Sequence, residues 1–250
     1  MNIIQILIMG IRIYTSKFGL YILAGLLLAL SIIVSMGFGI VFIIIDGLIA
    51  LFMGPGGAWL YNPISAAAVL LSTLCAILTT SYLFFPSIGA FMHTCAKIGS
   101  GRKDVSLMTH FDYMKENMND FWFIGIIQQA IAGVPALVVL IVAILLGGIS
   151  HLIVWAGVAV SALVWMVCQF PFWLAFPAKI VKKRGALGSL RNSLKANLKA
   201  PVGSIAMLLI IYILIILPAI SLVLYPIYFF LMLAPFASIV LLAFYEASEG

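Results

Sequence analysis

Charge is what this chain has least of. Of 250 residues, 13 are Lys or Arg and 7 are Asp or Glu, so charged residues make up 8%, against about 25% in an ordinary soluble domain. Hydrophobic residues make up 65%, and the mean hydropathy is +1.28. Too little polar surface remains to cover a water-soluble globule. That excludes a soluble enzyme, a disordered regulator and a nucleic-acid-binding domain. Cysteine is scarce too: Cys75, Cys95 and Cys168 all fall in apolar segments and cannot all pair. They read as reduced packing residues, not as a disulfide framework or a metal site. Catalytic motifs are lacking as well. Ser150-His151 puts two neighbouring side chains about 100° apart on a helix, with no acid to orient them. His93-x-Cys95 supplies only part of a closed metal-ligand set. Gly99-Ser100-Gly101-Arg102-Lys103 lacks the spacing of a phosphate-binding loop and follows an apolar helix instead of a strand.

What is present is a series of long apolar runs. A hydrocarbon core about 30 Å thick needs roughly 20 apolar residues at about 1.5 Å each. Six stretches qualify, at about 18–45, 64–92, 121–146, 152–178, 202–222 and 227–245. A carboxylate near mid-membrane costs about 2.5–3.5 kcal/mol, so the first span is expected to end near Asp46. Residues 47–61 are then an interfacial or partly re-entrant loop around Gly54-Pro55-Gly56-Gly57, and Asp46 is an interfacial carboxylate instead of an ion-coupling group. Arg12 and Lys17 follow the apolar run 3–11 without a clear small-residue cleavage site, so the first helix is expected to be a retained, signal-anchor-like segment. All 13 basic residues fall before span one, between spans two and three, or between spans four and five. This segregation predicts an all-α, six-span protein with both termini cytoplasmic.

The segments leading into the odd-numbered spans resemble one another. Met114-Lys115-Glu116-Asn117-Met118 and Leu194-Lys195-Ala196-Asn197-Leu198 match at an offset of 80, which also pairs Leu107 with Leu187. Leu187, Leu190, Leu194 and Leu198 share one helix face, beside Arg191, Lys195 and Lys199. Leu107, Phe111, Met114 and Met118 repeat the stripe, and Ile4, Leu7, Ile11 and Tyr14 repeat it more faintly. Even-numbered spans carry proline, at Pro86, at Pro171 with Pro177, and at Pro235, and Phe85-Pro86 and Phe170-Pro171 share a dipeptide. The pattern predicts three hairpins of two spans, each preceded by an interfacial amphipathic helix, over about 1–95, 98–178 and 179–250.

The two central amphipathic segments differ in charge. Residues 98–120 carry net −1 and residues 179–200 carry +7. The basic segment, with Lys182, Lys183, Arg184, Arg191, Lys195 and Lys199, is expected to hold anionic phospholipid. The acidic one reads as a docking face for a protein, for the basic segment itself, or as a plain solvated face. Inside the spans, Gln128, Gln129 and Gln169, with His93 nearby, could line a small polar pocket or simply bond between helices. Ser35-x-x-x-Gly39 and Gly157-x-x-x-Ser161 allow close helix approach but are too common in apolar sequence to specify a dimer.

The charged lead-in 186–201 with its Asn197-x-x-x-Pro201 close, the hairpin after it, and 235–246 ending in Tyr245-Glu246 resemble a broad group of poorly characterised prokaryotic six-span proteins. The membrane domain attached to some glycerophosphodiester phosphodiesterases has a similar layout. The resemblance covers about 80–250. It implies a helical bundle in the cytoplasmic membrane and no catalytic residue on this chain, because the phosphodiesterase chemistry there belongs to a soluble domain. The expectation is a non-enzymatic membrane protein without cofactor that binds lipid and a protein partner, as scaffold, accessory subunit or envelope-maintenance factor. A small-solute or lipid transporter using the glutamine region is the alternative.

Overall fold

The computed structural model describes residues 3–52, 63–101, 106–147, 151–216, 237–245 and 247–248, and every regular element among them is an α-helix. In chain order these are α1 (Ile3–Ser16), α2 (Phe18–Phe52), α3 (Pro63–Gly99), α4 (Leu107–Glu116), α5 (Met118–Gly147), α6 (His151–Gln169), α7 (Ala175–Lys182), α8 (Ala186–Lys199) and α9 (Pro201–Ile216). A further helix, α10, covers 237–245. Three stretches are long and apolar enough to cross a bilayer: Phe18–Gly37, Cys75–Gly99 and Met118–Ala143. The α8–α9 pair, bent by 107°, becomes a fourth if it is counted as one span. Leu26, Ile33, Val134, Val138, Leu163 and Val167 point outward. Apolar surface on that scale needs lipid to cover it. The chain is a multi-pass membrane protein.

Two expected boundaries are corrected. The first helix does not stop near Asp46; it continues to Phe52, and 47–52 are helical instead of loop. The reason is length. From Phe18, directly after Lys17, Asp46 lies about 42 Å along the axis, beyond a hydrocarbon layer of about 30 Å, so the helix can protrude without burying the carboxylate in lipid. The Gly54–Gly57 turn lies outside the described residues. The expected fourth span, 152–178, is not one helix either. It ends at Gln169, runs through turns at 170–174 and resumes as α7. Pro171 has no N–H for the helical ladder and its ring crowds the preceding turn, so the Phe170 N–H instead folds back to Val167 O at 3.2 Å. Most of expected span six, and the second part of span five, lie outside the described residues.

The helices pack as neighbours, α2 on α3 and α5 on α6, with α3 against α5 joining the pairs. Two Phe-x-x-x-Gly segments make that junction. A Cβ on Gly125 would sit 2.1 Å from Cγ of Phe85, and one on Gly89 would sit 2.5 Å from Cγ of Phe121. Phe85 of α3 thus lies over Gly125 of α5, and Phe121 of α5 lies over Gly89 of α3. This reciprocal lock requires the two helices to run antiparallel. Within the α5–α6 pair, Gly157 is closed on by Ala143, and Ser161 Oγ donates to Ala136 O at 2.7 Å. The Gly157-x-x-x-Ser161 spacing therefore serves contact inside the chain.

Each short amphipathic helix is followed at once by an apolar one: α1 by α2 after Lys17, α4 by α5 after Asn117, and α8 by α9 after Ala200. α4 starts with a capping box in which Ser106 Oγ accepts from Thr109 N and the Thr109 side chain accepts from Ser106 N. Lys17 Nζ donates to Ile98 O, tying the α1–α2 junction to the end of α3.

Candidate functional site

The richest polar chemistry lies where α7 turns into α8. α7 closes on Lys183, whose left-handed backbone (φ 49°) has its N–H on Lys179 O. That turn sends consecutive cations to different places. Lys182 and Arg184 join Asn192, Lys195 and Lys199 around a cavity of about 280 Å³, completed by Ala196, Phe244 and Ser248. Lys183 lines a second cavity of about 190 Å³ with Lys179, Ile180, His93, Tyr113 and Asn117. In the second, His93 stacks on Tyr113 with ring centroids 3.5 Å apart and planes 8° apart. Burial, with Asp120 and Glu116 nearby, pushes the Tyr113 hydroxyl up to about 12, so it stays a neutral hydroxyl there.

Asp120 anchors the junction. It accepts from Lys179 Nζ, and its other oxygen accepts from Ala186 N at 3.3 Å. Gly185, the N-cap of α8, offers no side chain for capping. The carboxylate does the capping from another helix and meets the positive end of the helix dipole. So the acidic segment docks, through this one residue, on the basic segment of the same chain.

α8 has three faces. Ser189, Leu190, Ser193, Ala196 and Asn197 are turned inward, with Ser193 and Asn197 fully buried. Leu187, Leu194 and Leu198 are turned outward, at 70%, 37% and 65% exposed. The leucine stripe therefore points away from the core, Leu190 excepted, and Arg191, Lys195 and Lys199 flank it in the open. α1 shows the same with Ile4, Ile8 and Ile11 exposed against buried Ile6 and Gly10.

The inward polar face has a specific task. Asn197 Nδ2 donates to Phe170 O at 2.9 Å and to Pro171 O at 3.1 Å. Ser193 Oγ also donates to Pro171 O, at 3.1 Å, and Asn197 Oδ1 accepts from Trp173 Nε1 at 2.9 Å. Gln128 Nε2 donates to Phe172 O from the other side. The Phe170, Pro171 and Phe172 carbonyls at the break thus each find a donor on a neighbouring helix, as a buried backbone requires.

Of the two readings of the glutamines, bonding between helices is the one that the partners of Gln128 and Gln129 fit. Gln128 is taken up at Phe172, and Gln129 Oε1 accepts from Trp165 Nε1 at 3.3 Å. Gln169 is buried just before the break. His93 lines the Lys179–Lys183 cavity, which none of the glutamines lines. Cys95 is buried and Cys75 and Cys168 are half-buried free thiols. Of the remaining expected residues, Arg102, Lys103 and Ser150 lie outside the described residues, as do the side chains of Asp46 and His151.

Asp120, Ser193 and Trp173 are the site residues that sequence reasoning missed. Asn197 did stand out, through its repeated Lys-x-Asn setting, but its partner at Pro171 did not. His110 was also missed. It is buried in α4 with Nδ1 3.0 Å from Thr94 Oγ1 and no partner for Nε2 among the described residues. Burial holds it neutral, lowering its titration to about 4. The chain matches no protein-family model, no curated protein and no solved structure.

Proposed function

We propose that this chain is a six-span protein of a prokaryotic cytoplasmic membrane, built as three hairpins with interfacial lead-in helices and with both termini cytoplasmic. It binds anionic phospholipid at its basic end and acts without catalysis, as a scaffold, accessory subunit or envelope-maintenance factor with a protein partner. The observation that carries this reading is the convergence of Lys182, Arg184, Lys195 and Lys199 on one cavity, beside the outward leucines of α8. Leucines at that position enter the acyl region while the lysine stems reach up to the headgroups. Each basic group near an anionic surface is worth about 1 kcal/mol at modest salt. No specific observation favours transport, because Gln128 and Gln129 already serve the chain itself.

The test is lipid retention by the detergent-purified protein in native mass spectrometry. Phosphatidylglycerol is expected to stay bound in preference to phosphatidylcholine. Replacing Lys182, Arg184, Lys195 and Lys199 by Gln together is expected to cut that preference by on the order of tenfold or more at low salt, with insertion unchanged. Equal retention of both lipids by the unaltered protein would overturn the reading.

A further inference from the structure

A third cavity, of about 370 Å³, lies beside the basic one and differs from it in kind. It is walled by Ile13, Tyr21, Ala96, Val181, Leu241 and Leu242, among others. Three hydroxyls in its wall are already engaged. Ser238 Oγ donates to Tyr21 OH at 3.0 Å, Tyr21 OH donates to Cys95 O at 3.4 Å, and Ser100 Oγ donates to Lys97 O at 2.9 Å. A cavity walled mostly by hydrocarbon, with these hydroxyls taken up by the chain, does not hold water well and suits an acyl chain. Its size falls within the range of about 300–1,000 Å³ usual for ligand sites.

The two cavities share two walls. Val181 lines the apolar one and Lys182, the next residue of α7, lines the basic one. On α10, Leu241 and Tyr245 line the apolar cavity and Phe244 the basic one. At about 100° per residue, Leu241 and Phe244 lie about 60° apart around the helix, so the cavities occupy neighbouring faces of α10 instead of opposite ones. An amphiphile with an anionic head and an apolar tail meets both. We infer that the apolar cavity seats one acyl chain of the anionic phospholipid whose headgroup occupies the Lys182/Arg184/Lys195/Lys199 cavity. This makes the basic end a discrete lipid site and not a diffuse charged surface. The inference rests on the lipid-binding reading above and adds where the chain goes.

The experiment uses the full chain reconstituted with phosphatidylglycerol carrying a diazirine in one acyl chain, and peptide mapping of the cross-links. Labels are expected on 95–100 of α3 and 238–245 of α10, above the level given by the same probe with a phosphatidylcholine head. The four-Gln variant should bring labelling down to that phosphatidylcholine level. Val181→Phe should fill the cavity and cut cross-linking there about tenfold, the value of roughly two buried methylenes, while the headgroup preference in native mass spectrometry persists. Should that variant fail to fold, the label positions on the unaltered protein decide alone. Labels spread evenly over the outer faces of α2, α3 and α5, with headgroup preference intact, would overturn the chain seat and leave the basic site standing. Labelling by a diazirine fatty acid that ignores the four cations would overturn it in favour of a free fatty acid. Loss of headgroup preference altogether would instead remove the reading beneath it.

Discussion

Two parts of the chain begin from nearly the same text and end differently. Phe85-Pro86 is followed by α4 with Lys115-x-Asn117, and Phe170-Pro171 is followed by α8 with Lys195-x-Asn197. At Pro86 the helix carries on to Gly99; at Pro171 it breaks. The difference lies in what the asparagine does. Asn117 Nδ2 donates to Tyr113 O of its own last turn at 3.1 Å. Asn197 reaches across to Phe170, Pro171 and Trp173. Proline thus supplies the opportunity for a break, and a donor from elsewhere makes the broken form affordable in a setting without water. The Pro86 region is held instead by apolar interlock, with each Phe ring over a Gly of the facing helix.

The sharpest way to break this comparison is to remove both asparagines in turn. Asn197→Leu strands the Phe170 carbonyl and an indole N–H, each costing about 1–3 kcal/mol, while Pro171 O keeps Ser193, so a loss of about 2 kcal/mol or more is expected, with fast amide exchange at 170–174. Asn117→Leu is expected to cost about 1 kcal/mol, one neutral hydrogen bond. Equal losses in thermal unfolding would show that the two asparagines do the same work. Next in size is Gly125→Ala, which drives a methyl group into the Phe85 ring and is expected to cost about 1–3 kcal/mol. Gly19→Ala is its control, since a Cβ there meets nothing within 4 Å; it should leave the unfolding temperature level or raise it. Lys179→Met leaves Asp120 with only the Ala186 N–H. Because that carboxylate is 36% exposed, the expected loss is about 1 kcal/mol or less, read by unfolding in detergent at low and high salt.

A separate effect, set by pH, is local to α4. At an offset of 80, His110 corresponds to Leu190, and both are buried. His110 stays neutral in the folded chain down to about 4, whereas an unfolded imidazole titrates near 6.5. Between those values the unfolded state binds more protons. The contribution is therefore whole above about pH 6.5 and declines as pH falls toward 4. Hydrogen exchange should show α4 loosening over that window while α8 stays unchanged. His110→Leu should abolish the dependence; a variant that keeps it would move the cause elsewhere.

Much of the helical plan was legible. Phe18, after Lys17, does start a long helix, and the charged segments at 107–116 and 186–199 are the short helices they resembled. The amphipathic period also correctly grouped Leu187, Leu194 and Leu198. It did not single out Leu190, the one leucine of the stripe that is buried, because in a bilayer the surroundings are as apolar as the core and an apolar stripe points to neither in particular. The polar stripe was the informative one: Ser189, Ser193 and Asn197 are inside because only protein offers them partners. The glutamines were legible as bonds between helices, but their partners were not. Depth along a helix says that Gln128 must bond to something, and it took the broken helix to show that the partner is Phe172 O. Asp120 was counted only as one charge in a segment, and nothing local linked it to the uncapped start of α8.

By itself the sequence determined that this chain is helical, lies in a bilayer and keeps its cations at the ends of its spans. Each of those is a cost that a single residue or peptide group incurs from its surroundings, wherever its neighbours are. Only the tertiary structure decided which carbonyls Asn197 would satisfy, which Gly each Phe would cover, and how four cations and an apolar hollow came to share the walls of α7 and α10. Those depend on distances between segments far apart in the chain, and composition and period carry no information about such distances.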